Sequence, residues 1–94
     1  MNPNERVYLQ PCAWVMSAIN DIIELQNGKI VCSDFTEGRL AFCTKMYKKT
    51  QTNYFTVIGL EGGGSRVLLE IVGCSDSQRK VSAMFGLLES IMHR

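Results

Sequence analysis

Few residues of this chain have types and spacings that could do chemistry. The most suggestive stretch is Leu60–Val67, LEGGGSRV, a glycine run followed by serine and arginine. Runs of this kind can cradle a phosphate with backbone N–H groups. Gly59 through Gly64 supply the first and last glycines of the GxxxxGK[ST] pattern. The position of the phosphate-reaching lysine is taken by Ser65, and Arg66 stands in place of Ser or Thr. A phosphate loop must also run into a helix, whose N-terminal N–H groups face the anion. Val67-Leu68-Leu69 instead continues as aliphatic strand, and Glu61 would repel a phosphate. The run reads as a hairpin turn.

Cys12, Cys32, Cys43 and Cys74 contain no CxxC pair, and the single histidine, His93, is next to the C-terminal residue. Zinc sites need ligands clustered by local geometry, usually as two close pairs. Free, buried thiols are therefore expected, with no metal and no cofactor. Cys32 and Cys43 are the one pair to watch. Neither the carboxylates nor Ser65 has a local base or helix-terminal context that would mark an acid–base pair or a nucleophile, so the expectation is a non-enzymatic protein. Lys45–Tyr54 (KMYKKTQTNY) interleaves basic and aromatic residues. Tyr47 and Tyr54 on one face, beside Lys45, could stack single-stranded nucleic acid. A solvated hairpin tip with a stabilising cross-strand tyrosine pair is the favoured reading.

The bulk properties agree with a small binding module. A chain of 94 residues is expected to form one domain, 1–94, with a single core. Hydrophobic content of 46% and charged content of 20% are ordinary for a globular chain. A net charge of +1 offers no general pull toward nucleic acid or an anionic membrane. No apolar run approaches a membrane span, and the N-terminus lacks the basic-then-apolar order of a secretory signal. A cytoplasmic location is the resulting expectation.

The elements that position these residues follow from periodicity. Arg6–Gln10 alternates as a short strand, and Pro11 suits the first turn of a helix. Cys12, Val15, Met16, Ile19, Ile22 and Ile23 form a helical stripe, flanked by Trp14, Ala18 and Leu25, and core packing is expected for Trp14. Asn27-Gly28 stops this helix, with glycine expected in the left-handed conformation. Strands are predicted at Lys29–Asp34, Arg39–Tyr47, Tyr54–Leu60 and Ser65–Gly73, with Lys48–Asn53 a polar loop. Ser75 with Gln78 fits a capping box. A last helix from Gln78 to about His93 carries Val81, Met84, Phe85, Leu88, Ile91 and Met92 on one stripe.

The fold class is α+β, in the order β-α-β-β-β-β-α, with both helices on one face of a curved antiparallel sheet. This order is similar to one half of the TATA-binding protein fold and to the C-terminal regulatory domains of some kinases. The likeness is of element order over nearly the whole chain, no sequence motif of either family is present, and it implies the layered arrangement and no residue role.

Hairpin register then assigns side chains to faces. With Lys48–Asn53 as loop, Tyr47 pairs with Tyr54, Lys45 with Thr56, Cys43 with Ile58 and Phe42 with Gly59. A three-residue turn at Gly62–Gly64 pairs Gly59 with Val67 and Val57 with Leu69. Leu40, Phe42, Met46, Phe55, Val57, Val67, Leu69 and Ile71 form the core face, and Gly59 leaves space for Phe42. The opposite face carries Ala41, Cys43, Ile58, Leu60, Leu68 and Val72 among Arg39, Lys45, Tyr47, Tyr54, Thr56, Arg66 and Glu70. Ile30, Cys32 and Asp34 join it from the first hairpin, a parity that holds for a four-residue turn at Phe35–Gly38 and for a two-residue turn at Glu37-Gly38, the tighter of which would set Cys32 opposite Cys43. An uncovered sheet face that is half apolar points to association. The expected partner is a second copy or another protein, with Cys43, Lys45, Tyr47, Tyr54, Ile58, Leu60, Arg66 and Leu68 at the contact. Binding of a small ligand or single-stranded nucleic acid on the same face is the alternative.

Overall fold

The computed structural model describes residues 4–46 and 49–93. Its elements are β1 (Glu5–Tyr8), α1 (Cys12–Leu25), β2 (Lys29–Asp34), β3 (Arg39–Met46), β4 (Lys49–Gly59), β5 (Ser65–Val72) and α2 (Ser77–Met92). The strands form one open antiparallel sheet in the order β1-β5-β4-β3-β2. Val15, Ile19 and Ile22 of α1 and Val81, Phe85 and Leu88 of α2 share one core with Leu40, Phe42, Phe55, Val57, Val67, Leu69 and Ile71. All seven of these strand residues are on one face by register. The fold class and the core face agree with the sequence reading, save Met46, whose side chain is outside the described set.

The registers differ from expectation. Lys49–Asn53, expected as loop, is the first half of β4, so Cys43 faces Thr52 and Phe42 faces Asn53. The second hairpin pairs Gly59 with Ser65 and Val57 with Val67. Both shifts are by an even number of residues, and side chains alternate with period two, so the faces survive the slip. The first hairpin has the four-residue turn, pairing Asp34 with Arg39 and Cys32 with Ala41. A bulge between Ile30 and Cys32 then sets Ile30 opposite Phe42, moving it to the helix side.

Local stereochemistry explains the joints. Asn27, not Gly28, takes the left-handed conformation after α1, at φ 52°. Gly28 is required for another reason: a Cβ there would stand 2.7 Å from Phe42 Cδ2. The space for Phe42 comes from Gly28, while Gly59 instead faces Cys12 Sγ. Gly62 and Gly63 have φ of 91° and 95°, as the turn after β4 demands, and Gly64 lets the Tyr8 carbonyl approach. The expected capping box is absent, because α2 begins at Ser77 with Asp76 at its N-cap and no side-chain cap bond. Trp14 is 54% exposed rather than packed in the core, and Leu25 is exposed too. The thiols are free, but their burial departs from expectation: Cys32 is exposed and Cys12, Cys43 and Cys74 are only half-buried.

Candidate functional site

Both helices cover one side of the sheet, so the other side is the largest surface the fold leaves open. Register arranges it in cross-strand rows. Glu5, Leu68, Thr56, Arg39 and Asp34 form one row. Glu70, Tyr54, Ala41 and Cys32 form the next, followed by Val72, Thr52, Cys43 and Lys29. Val7, Arg66 and Ile58 occupy one end, and Thr50 and Lys45 the other. Val7, Tyr54, Ile58 and Val72 are exposed, while Ala41 is only 3% accessible among its taller neighbours. Apolar side chains (Leu68, Tyr54, Ala41, Ile58, Val72) are thus interleaved with the threonines of β4, and the charges stand on the strands to either side.

The margins differ in sign. Glu5 and Glu70 against Arg66 leave −1 on the β1–β5 side. Arg39, Lys45 and Lys29 against Asp34 leave +2 on the β3–β2 side. Arg66 Nε is 2.9 Å from Glu5 Oε1, and this ion pair ties β5 to β1. The Cys43 thiol and Thr52 hydroxyl approach to 3.5 Å across β3 and β4.

Of the residues singled out from sequence, Cys43, Lys45, Tyr54, Ile58, Arg66 and Leu68 are together on this face. Leu60 is not in a strand: its N–H donates to the Gly64 carbonyl at the start of the turn after β4. Tyr47 lies outside the described residues. Tyr54 faces Ala41 on β3 and Glu70 on β5. A carboxylate beside Tyr54 also opposes a nucleic-acid backbone there.

Two polar clusters on the helical side escaped the sequence reading. In the first, the Tyr8 hydroxyl donates to Glu89 Oε2 at 2.8 Å, Arg6 Nη1 is 3.9 Å from the same oxygen, and the Arg6 guanidinium lies over the Phe85 ring. Burial, and then the hydrogen bond to Glu89, push the Tyr8 phenol well above the ordinary tyrosine range. In the second, Thr44, Gln51 and Asn53 are buried on the core face. Asn53 was hidden because a polar run resembles a loop, and nothing in TQTN by itself marks the burial. A cavity of about 770 Å³ between α1 and the turn after β2, walled by Met16, Phe35 and Val57, is largely apolar. Among the described residues, no three His, Cys, Asp or Glu side chains come together as metal ligands, and no helix is long and apolar enough to cross a membrane. No family model matches the chain, and no curated protein matches it.

Proposed function

We propose that this protein acts by association rather than catalysis, and that its partner is a second copy bound face to face through the uncovered sheet. The observation that carries this reading is the apolar band across β1, β5, β4 and β3, with Val7, Leu68, Tyr54, Ile58 and Val72 left uncovered by any element. Five strands at about 4.8 Å spacing and eight residues at about 3.3 Å give a footprint on the order of 600 Å². Stable interfaces remove roughly 800 Å² of accessible surface per partner, so a sheet of this size is nearly sufficient. Tyrosine and arginine within the band are types that interfaces favour.

Charge supplies the orientation. A twofold axis parallel to the strands and over β4 lays the acidic β1–β5 margin of one copy on the basic β3–β2 margin of the other. Glu70 then comes within one row of the partner's Arg39; Arg66 comes equally near it and Glu5 meets the partner's Asp34, so the net charge of the margins, not every pair, favours this orientation. The test is mass in solution by sedimentation equilibrium. A dimer with a dissociation constant on the order of micromolar is expected. Leu68→Glu and Arg39→Glu each weaken it at least about tenfold, while Arg39→Glu combined with Glu70→Arg restores it. A monomer at about 100 µM, or a double reversal weaker than either single one, refutes the proposal.

A further inference from the structure

A second site lies on the opposite side of the sheet, where the core face turns polar. That face is mainly aliphatic and aromatic, with Ser65 buried at one end and Arg6 and Ser33 on the outer strands, but at the far end of β3 and β4 it carries the cross-strand pair Thr44–Gln51 and, one step inward, Asn53. Gln51 is 7% exposed and Asn53 fully buried. Gln51 Nε2 donates to Asn53 Oδ1 at 2.9 Å, and Asn53 Nδ2 donates to the Phe42 carbonyl at 3.3 Å. This chain fixes which way the Gln51 amide points. Turned over, its oxygen would meet Asn53 Oδ1, acceptor against acceptor.

Gln51 Oε1 is therefore committed as an acceptor, shielded from bulk water, and among the described residues nothing donates to it. An acceptor in that state carries a desolvation cost that a donor would relieve. Gln51 also walls a cavity of about 540 Å³ between the sheet, the end of α1 at Gln26 and the face of α2 carrying Lys80, Met84 and Leu87. Lys80 is the cationic side chain on the α2 wall and no lining residue is anionic; Lys45 borders the cavity too, but register puts its side chain on the uncovered face. Met84, unbranched and adaptable, is the wall residue able to yield to a guest.

We infer that this cavity is a binding site for a small organic acid with an apolar body and an N–H or O–H donor. The apolar body takes the Met84 and Leu87 wall, the carboxylate faces Lys80, and the donor reaches Gln51 Oε1, which has almost no surface open to the cavity, by displacing part of that wall. The inference is independent of face-to-face association, because the cavity is on the helix-covered side.

Two probes of similar size isolate the donor: indole-3-acetate has a ring N–H, and naphthalene-1-acetate has none. Each is titrated into the ¹⁵N-labelled protein and followed by NMR. Saturable shifts are expected at Thr44, the Gln51 side-chain amide, Ala83 and Leu87. Indole-3-acetate binds about five- to tenfold more tightly, the difference that one hydrogen bond supplies. Gln51→Met abolishes that preference, and Lys80→Glu weakens both probes about fivefold while leaving the preference intact. No saturable binding of either probe by about 5 mM overturns the inference. So do equal affinities for the two probes, a preference that survives Gln51→Met, or shifts confined to the uncovered sheet face.

Discussion

Consider Asn53→Leu, which keeps the branching at Cγ and removes both polar atoms of a fully buried side chain. Its loss leaves Gln51 Nε2 without an acceptor, next to an Oε1 that already lacks a donor. Desolvating one such group costs about 1–3 kcal/mol, and the longer bond to the Phe42 carbonyl adds a fraction of that, so a destabilisation of about 2–3 kcal/mol is expected. Gln51→Met behaves differently. It unpairs Asn53 Oδ1 but removes the shielded Oε1, and these opposing terms leave it within about 1 kcal/mol of the parent. In the double variant neither orphan remains, because both partners have become apolar, and stability returns to within about 1 kcal/mol of the parent. The coupling between the two sites is then about 2 kcal/mol. Urea denaturation of the four proteins measures it, read as midpoint changes at constant slope. Additivity within about 0.5 kcal/mol would refute the reasoning, since residues that do not share a network add within that margin.

Three other outcomes follow from the geometry. The Tyr8 phenol is held up by burial and by Glu89, so its stabilisation is fully present below the ordinary tyrosine pKa and fades as pH rises above it. An absorbance titration should show that Tyr8→Phe removes the latest-ionising phenol and flattens the alkaline fall in stability. Gly28→Ala drives a methyl against the fully buried Phe42 ring and should lower stability by about 1–3 kcal/mol, whereas Gly86→Ala meets open space and, in mid-helix, should gain up to about 1 kcal/mol in the same melts. Cys32 is the exposed thiol and should react first with a disulfide reagent. Its rate should fall as protein concentration rises through the dimer range, and a rate independent of concentration would count against burial of this face.

The sequence located the elements and the two faces of the sheet for a reason that also explains its errors. Face assignment needs only parity, so displacing Cys43 from Ile58 to Thr52, six residues away, left every facing residue on its proper side. Parity fails only where a residue is inserted, and the bulge beside Val31 exchanged the faces of Ile30 and Lys29. Neither isoleucine, valine nor cysteine signals a bulge locally. The TQTN half of β4 was missed because polarity stood for exposure, and Gln51 and Asn53 are instead accommodated by a hydrogen-bonded chain that runs along β4 and ends on the Phe42 carbonyl of β3. Asn27 and Gly28 divided two tasks that the sequence assigned to one residue, because close packing against Phe42 is a tertiary demand. The Tyr8–Glu89 bond joins positions 81 residues apart and had no local signal. Of the candidate face, what was legible was its apolar content. What was not was the order of its charges, which depends on which strands are neighbours.

The bulge in β2 bears on how far assembly can proceed. All six residues of β2 are exposed along an outer edge, and an edge of this kind invites other chains to add strands without limit. The irregularity beside Val31 interrupts the row of backbone groups, and Lys29 places a charge at its start. The opposite edge, β1, is only four residues long. Lateral growth is therefore discouraged at both ends, whereas a twofold stack consumes the one open face and leaves no copy of it for a third chain. Were the proposed face-to-face pairing to form, it would close at two subunits rather than extend as a fibre.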